Sequence, residues 1–371
     1  MPVPVSSLRI WTPERSEHWI KVTEYAMNPN TELRVVVTGA TGNVGTSVVR
    51  ALAAHPQVGS VLGLARRIPE LSVPKTEWAT VNLARLEDTP LLGQHFAGAD
   101  AVIHLAWRFQ PTHDPVVTWE TNVLGSLEVF NAVASAGAPA LIHASSVGAY
   151  SPGPKEGRGV DESWPTHGWP DAAYCREKAY LERVLDTYER DHPEVRVVRM
   201  RPCFLFKEGA ASEQRRIFAG RFLPGPLLRP ELLPYVPDLK GLRFQALHTD
   251  DAAEAYRRAV LRDVRGAFNL AAGPVVDARS LGELLDARVV PVPRQAVRAV
   301  LAAAWGLHVA PASPHLFDAV LRLPLLDPSR AHDELGWKPS HTSLEAIAEF
   351  LRGVRQGSGE PTAPLVGHKA H

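Results

Sequence analysis

Val35-Val36-Val37-Thr38-Gly39-Ala40-Thr41-Gly42-Asn43-Val44-Gly45 is the stretch whose reading decides the fold. Three β-branched apolar residues run into glycines at 39, 42 and 45, and an amphipathic segment from Thr46 to about His55 comes next. A short apolar strand, a glycine turn and a helix start make a site for a dinucleotide pyrophosphate. The first glycine permits the tight turn, the second lets backbone approach the pyrophosphate, and the third lets the helix pack on the strand. The spacing is T-G-x-x-G-x-x-G, not the commoner G-x-G-x-x-G, so the weight of the motif depends on the rest of the chain.

Downstream, apolar strands alternate with helical patterns. Ser60–Ala65, Thr76–Leu83, Ala99–Ala106, Ala140–Ser146 and Val195–Met200 read as strands. Leu86–Phe96, Trp119–Ala136 and Ala173–Asp191 read as helices. That alternation predicts an α/β fold, a Rossmann-type doubly wound parallel sheet with its ligand at the carboxyl ends of the strands. Beyond residue 200 the pattern loosens, which predicts a smaller C-terminal α/β lobe carrying the substrate pocket. The expected divisions are an N-terminal extension over 1–30, a cofactor-binding domain over 31–205 with segments near 245–272 returning to it, a lobe over 206–355, and a flexible tail over 356–371. The Leu- and Pro-rich segment Phe222–Val236 reads as a lid.

Composition narrows the function classes. Forty basic residues balance forty acidic ones, so no electrostatic footprint points to nucleic acid or an anionic membrane. No apolar run approaches the ~18 residues that span a bilayer, and residues 1–30 lack the apolar core of a signal peptide. Two cysteines, Cys175 and Cys203, are too few for a disulfide framework or a metal cluster. A cytoplasmic, metal-free enzyme of small molecules is the expectation.

Tyr174-Cys175-Arg176-Glu177-Lys178 sets a tyrosine and a lysine at i and i+4 on one helix face. A phenol with an ordinary pKa of about 10 is a weak acid–base catalyst at neutral pH. A neighbouring ammonium and a cationic nicotinamide ring both favour phenolate and are expected to lower that pKa towards the working range. Ser146, at a strand end, is placed to hold a substrate oxygen. Together these groups suit proton transfer coupled to hydride transfer at a carbonyl or carbinol.

Glycine motif, serine-bearing strand end and Tyr-x-x-x-Lys, in this order, resemble the extended short-chain dehydrogenase/reductase superfamily, and within it the NAD-dependent epimerase/dehydratase family. The likeness runs from about Leu33 to Phe350. It includes His104-Leu105-Ala106, Asn122, Ala144–Tyr150, Arg201-Pro202, His248–Ala252 and Leu335–Pro339. The resemblance implies Tyr174 as acid–base residue, Lys178 as ribose ligand and modulator of the tyrosine, and Ser146 as orienter of the substrate oxygen. It implies cofactor contacts from Gly39, Gly42, Asn43, Val44, Gly45, Asn82, Leu83, Leu105, Ala106 and Phe204, and a possible homodimer through the two long helices.

Cofactor choice turns on the end of the second strand. Ala65-Arg66-Arg67 stands where an acidic residue would select NAD. A guanidinium there suits a 2′-phosphate and favours NADP, with NAD as the alternative. Substrate candidates are Trp107, Arg108, Trp169, Ser146 and Phe204. Phe204 occupies the position where nucleotide-sugar members carry asparagine, and Arg243 stands without the Arg-Asp pair expected to grip a diphosphate. These departures favour a hydrophobic carbonyl or alcohol. A nucleotide-sugar epimerase or dehydratase with bound NAD is the alternative, and a non-catalytic cofactor sensor the third reading.

Overall fold

The structure is a computed structural model that describes residues 32–218 and 234–367. The N-terminal extension and residues 222–233 of the segment read as a lid lie outside the described residues. Among the described residues up to 202 there are six strands: β1 (Leu33–Thr38), β2 (Val58–Ala65), β3 (Thr76–Thr80), β4 (Ala101–His104), β5 (Ala140–Ala144) and β6 (Arg196–Pro202). With the later strand Gly266–Leu270 they form a seven-stranded sheet, parallel throughout. Its order is Gly266–Leu270, β6, β5, β4, β1, β2, β3. The expected doubly wound fold is present.

The helices between them are α1 (Asn43–Ala53), α2 (Thr89–Phe96), α3 (Pro115–Trp119), α4 (Gly125–Ser135) and α5 (Ala173–Asp191). Because strand side chains alternate, Val35 and Val37 join one core layer with α1 and the helix Thr249–Leu261, while Val36 joins the other with α2, α4 and α5. All three valines are fully buried, as a sheet covered on both faces requires. The helix expected over Trp119–Ala136 begins earlier, at Pro115, and its middle turn, Glu120–Leu124, is π-helical. Such turns widen a helix locally and cluster at functional sites; Asn122 sits in this one.

Chain direction reverses beside β1. The chain winds outward through β2 and β3, then crosses to β4 on the other side. Thr38 pairs with His104 in register, and the Thr38 hydroxyl lies 2.7 Å from His104 Nδ1. Those two strand ends flank the crevice where an open α/β sheet binds its ligand.

Past β6, the strands Tyr235–Asp238 and Arg288–Pro291 pair with each other. The helix Pro314–Val320 lends Leu316 and Val320 to the crevice wall, and the helix Arg294–Gly306 is tied to it by Arg298 and Asp318 at 2.7 Å. The Leu335-Gly336-Trp337 signature anchors this half to the sheet, since Trp337 is fully buried and donates from its indole to the Asp251 carbonyl at 2.8 Å. The expected loose tail is corrected for residues 358–367. Leu365 is fully buried and the Thr362 hydroxyl donates to the Thr41 carbonyl at 2.8 Å. The polar composition hid a buried leucine and a set of specific bonds.

Candidate functional site

A cavity of about 420 Å³ opens at the carboxyl ends of β1, β2, β4 and β5. At its floor the glycine turn explains its own spacing. Gly39 has φ +69°, and a Cβ there would meet the Ala106 backbone nitrogen at 2.6 Å. At Gly45 a Cβ would meet the Gly39 carbonyl oxygen at 2.2 Å. Gly42 differs: its φ is −83° and a Cβ would find only the Gly39 oxygen, at 3.5 Å. Gly39 and Gly45 are therefore demanded by the protein itself, whereas Gly42 leaves room toward the cavity it lines.

Gly42 is also the N-cap of α1, and no side chain caps that helix. The first-turn amides of Asn43, Val44 and Gly45 are left for an anion, with the helix dipole behind them. The Asn43 side chain itself accepts from the Thr249 hydroxyl at 3.1 Å and ties α1 to the helix Thr249–Leu261.

Arg66 lines one end of the cavity. Its guanidinium is held below its ordinary pKa by partial burial and by repulsion from Arg108 and Arg67, with Glu213 opposing. An anion among these groups would relieve that repulsion. Asn82 and Leu83 line the same end. The Asn82 Oδ1 accepts from the Ala84 amide at 3.3 Å, and Gly125 makes space for Leu83, whose Cβ would lie 2.8 Å from any side chain placed there.

The structure brings Ser146, Tyr174 and Lys178 to the opposite end. Ser146 Oγ accepts from the Gly148 amide at 3.0 Å, which fixes its rotamer beside the strand end. The Tyr174 ring lies over Gly148, where a Cβ would meet Cε1 at 2.6 Å. Lys178 is 4% exposed. It donates to the Ala144 carbonyl at 2.6 Å and sits 3.3 Å from the centre of the Trp107 ring.

Burial pushes the Tyr174 phenol well above its ordinary pKa, with the Ser146 hydroxyl opposing. Among the protein's own groups burial is the larger effect; the lowering expected from a cationic nicotinamide ring concerns the site with its cofactor. The Lys178 ammonium is committed to a carbonyl and an indole face, and burial drives its own pKa down to about 7 despite Glu177 and Glu182. Desolvation outweighs the neighbour effect on both groups.

Asn122 does its work through the backbone. Its Oδ1 accepts from the Arg108 amide at 2.6 Å, and its amide donates to the Arg108 carbonyl at 2.8 Å and to Glu177 at 2.7 Å. The π-helical turn thus ties the loop after β4 to the residue preceding Lys178. Glu177 was not legible in the sequence beyond its place inside the Tyr-x-x-x-Lys run.

Leu105, Ala106, Trp107, Arg108 and Phe204 all line the cavity. Trp107 Nε1 is buried without a hydrogen-bond partner. Trp169 is the exception among the candidates. It lies outside the cavity walls, packed with Ala172, Cys175 and Ala319 and 4.4 Å beneath the Arg322 guanidinium. Arg243 also lines no part of the cavity; it sits on a strand paired with Val276-Asp277.

The far wall is Phe109, Ile217, Phe218, Leu316, Val320 and Leu323. Phe109 stacks 4.9 Å from Tyr174 and 5.3 Å from Phe218. Among the described residues, the charged groups lining the cavity are Arg66, Arg108, Lys178 and Glu213.

His104, fully enclosed, bonds Thr38 and the Ser126 hydroxyl, and burial lowers its pKa to about 3, so the ring is neutral. His248, His341 and Glu349 also converge. There the Asp250 amide donates to His248 Nδ1 and Glu349 faces Nε2 at 3.0 Å. His248 is thus the N-cap of the helix Thr249–Leu261, and His341 faces Asp251 at 3.0 Å.

A sequence model of the NAD dependent epimerase/dehydratase family matches residues 35–271. The chain belongs to this family. It is thereby an enzyme of the extended short-chain dehydrogenase/reductase type that uses a nicotinamide cofactor. Among relatives, dTDP-glucose 4,6-dehydratase of Streptomyces antibioticus is 27% identical over 345 residues, covering 87% of this chain and 92% of that one. An uncharacterised protein of Mycobacterium bovis is 23% identical over 326 residues, covering 86% and 83%. A solved structure of the dTDP-glucose 4,6-dehydratase DesIV from Streptomyces venezuelae, with NAD and TYD bound, has a TM-score of 0.65 at 22% identity and covers 87% of this chain and 97% of its own. The Thermus thermophilus UDP-glucose 4-epimerase complex with NAD gives 0.62 at 22% identity, covering 87% and 99%. At these identities the structures show a shared fold.

The residues present fit a nicotinamide dinucleotide. The α1 amides are uncapped, Gly42 leaves open space beside them, and Asn82, Leu83 and Lys178 line the same cavity. Among the described residues no helix is long and apolar enough to cross a membrane.

Proposed function

We propose that this protein is an NADP(H)-dependent oxidoreductase that interconverts a carbonyl and an alcohol on a hydrophobic small molecule. The observation that carries this reading is the position of Tyr174, between the Ser146–Gly148 turn and an apolar wall of Phe109, Phe218 and Leu316 that, among the described residues, presents no cation. A diphosphate-bearing substrate would need positive partners on that side.

The dinucleotide would be held by the α1 amides, with Asn82 and Leu83 at the adenine, Arg66 at the 2′-phosphate and Lys178 at the nicotinamide ribose. When bound it supplies or accepts the hydride. Ser146 donates a hydrogen bond to the substrate oxygen and fixes its position. Tyr174 would give its proton to the carbonyl oxygen in reduction and take one from the alcohol in oxidation. Burial alone makes the phenol a weaker acid, and a cationic nicotinamide ring would favour phenolate and oppose that shift. Lys178, with a pKa of about 7, can take up the compensating charge near neutrality. Pairing of two copies through the continuous helix 115–135 and α5 belongs to this reading, since Trp119 and Tyr180 join the two with ring centres 5.0 Å apart, and Val116 and Leu124 of the first are exposed.

A nucleotide-sugar epimerase or dehydratase that keeps NAD is the second reading, favoured by the named activities of the relatives. Against it stand Phe204 on the cavity wall and Arg243 outside it. A screen of carbonyl compounds and nucleotide sugars, followed by NADPH absorbance and product analysis, separates the two. Tyr174→Phe should lower turnover about 10²–10⁴-fold while dinucleotide affinity is unchanged. Full activity in that variant overturns the role given to Tyr174.

A further inference from the structure

The helix Ser343–Gln356 ends at Gly357 with φ +66°, and the chain turns back on the glycine turn of the cofactor site. Residues 358–367 form a compact loop. Glu360 donates its amide to the Leu365 carbonyl and Leu365 donates to Thr362, each at 3.0 Å. The loop is closed tightly enough that a Cβ on Gly359 would lie 2.1 Å from the Gly367 nitrogen.

Three sets of bonds fasten this loop to the cavity. Glu360 accepts from Arg50 at 2.6 Å and from Lys207 at 2.6 Å, and the Glu360 and Lys207 side chains are 10% and 7% exposed. Lys207 also donates to the Thr46 and Ser47 hydroxyls at 2.7 and 3.1 Å, so the pair grips α1 directly behind its first turn. Thr362 reaches the Thr41 carbonyl, inside the glycine turn. Arg216 donates to the carbonyls of Pro364 and Val366 at 2.6 and 2.9 Å; its helix, Ala211–Phe218, carries Glu213, Gln214 and Ile217 into the cavity wall, and Pro364 joins them there.

The glycine turn needs none of this for its own geometry, since the Gly42 amide already bonds the Gly39 carbonyl at 3.1 Å. A buried ion pair is also costly to form and is weak evidence of a purely stabilising role. We propose that residues 358–367 are a latch on the dinucleotide site: Pro364 forms part of the cavity wall, Glu360 and Thr362 fasten the loop to α1 and the glycine turn, and the cofactor leaves only when this loop lifts. The proposal rests on the dinucleotide reading of the cavity. It makes cofactor release, and not the chemistry at Tyr174, the step that the C-terminal loop controls.

The test is the rate at which bound NADPH is displaced from the full-length protein by excess NADP, followed by stopped-flow fluorescence. Glu360→Gln with Thr362→Val should raise the dissociation rate at least tenfold. A rate within threefold of the unsubstituted protein, with NADPH binding intact, overturns the latch and leaves the cofactor reading standing. Absence of binding of either dinucleotide to the unsubstituted protein overturns both. Hydrogen exchange on the unsubstituted protein reads the same device without a variant. The amides of Glu360 and Leu365 should exchange at least tenfold more slowly when NADPH is bound, and unchanged exchange overturns the proposal.

Discussion

Replacing Gly39 and Gly42 by alanine, one at a time, should produce opposite outcomes. At Gly39 the left-handed φ of +69° costs an L residue about 1–2 kcal/mol. The new Cβ would also lie 2.6, 2.7 and 2.9 Å from the Ala106 nitrogen, the Ala106 Cα and the Leu105 carbonyl carbon. These are backbone atoms held by the Leu105 amide on the Thr38 carbonyl at 3.1 Å and by the Thr38–His104 bond, so relief means parting β1 from β4. Overpacking of this kind costs about 1–3 kcal/mol. Gly39→Ala should therefore lose about 2–5 kcal/mol of stability in urea denaturation.

Gly42→Ala should leave stability within about 1 kcal/mol of the parent. Its φ of −83° suits alanine and its nearest contact, at 3.5 Å, is ordinary. The entropy lost by the unfolded chain, which favours the folded state, roughly offsets the poorer N-cap. The methyl instead fills space beside the α1 amides and should weaken NADPH binding at least tenfold, about 1.4 kcal/mol, in a fluorescence titration. Equal destabilisation by the two substitutions, or unchanged NADPH affinity in Gly42→Ala, would refute the division of labour assigned to the glycines.

Three further outcomes follow from the charges around the site. Lys178 has its pKa lowered to about 7 by burial, so between that pH and about 10.4 only the unfolded chain holds its proton and stability should rise with pH. Lys178→Met should flatten that rise, as read from denaturation midpoints across pH. Glu182 is pushed up by burial but held down, to about 2, by bonds and charge from Arg201, with Arg199 and Ser145 adding to the effect. Its contribution is present above the ordinary carboxylate range and fades as pH falls towards that value; Glu182→Gln should cost about 3–5 kcal/mol at pH 7, and a loss under about 1 kcal/mol would contradict the network. Arg66→Ala should lower NADPH affinity about tenfold, about 1.4 kcal/mol, with NADH affinity within threefold; equal loss for both would remove the 2′-phosphate role.

The fold was legible because its signals are local and repeated. Val35–Val37, buried on both faces, need a parallel sheet wherever they sit, and the glycine spacing is enforced by contacts within the turn and with the strand beside it. Gly39, Gly42, Gly45, Ser146, Tyr174 and Lys178 were placed at one cavity by a motif order that any sequence carries on its surface. What the sequence could not decide depends on distance through space. The state of the Tyr174 phenol and the Lys178 ammonium follows from desolvation by Trp107, Phe109 and the sheet, which no spacing reveals. Trp169 and Trp107 read alike as aromatic residues near the site, yet one packs outside the cavity and the other lines it. Residues 358–367 look like a loose end by composition because small and polar residues are also what a tight, hydrogen-bonded loop needs. Only the folded chain brings Glu360 to Lys207, and Thr362 to Thr41 at the opposite end of the sequence.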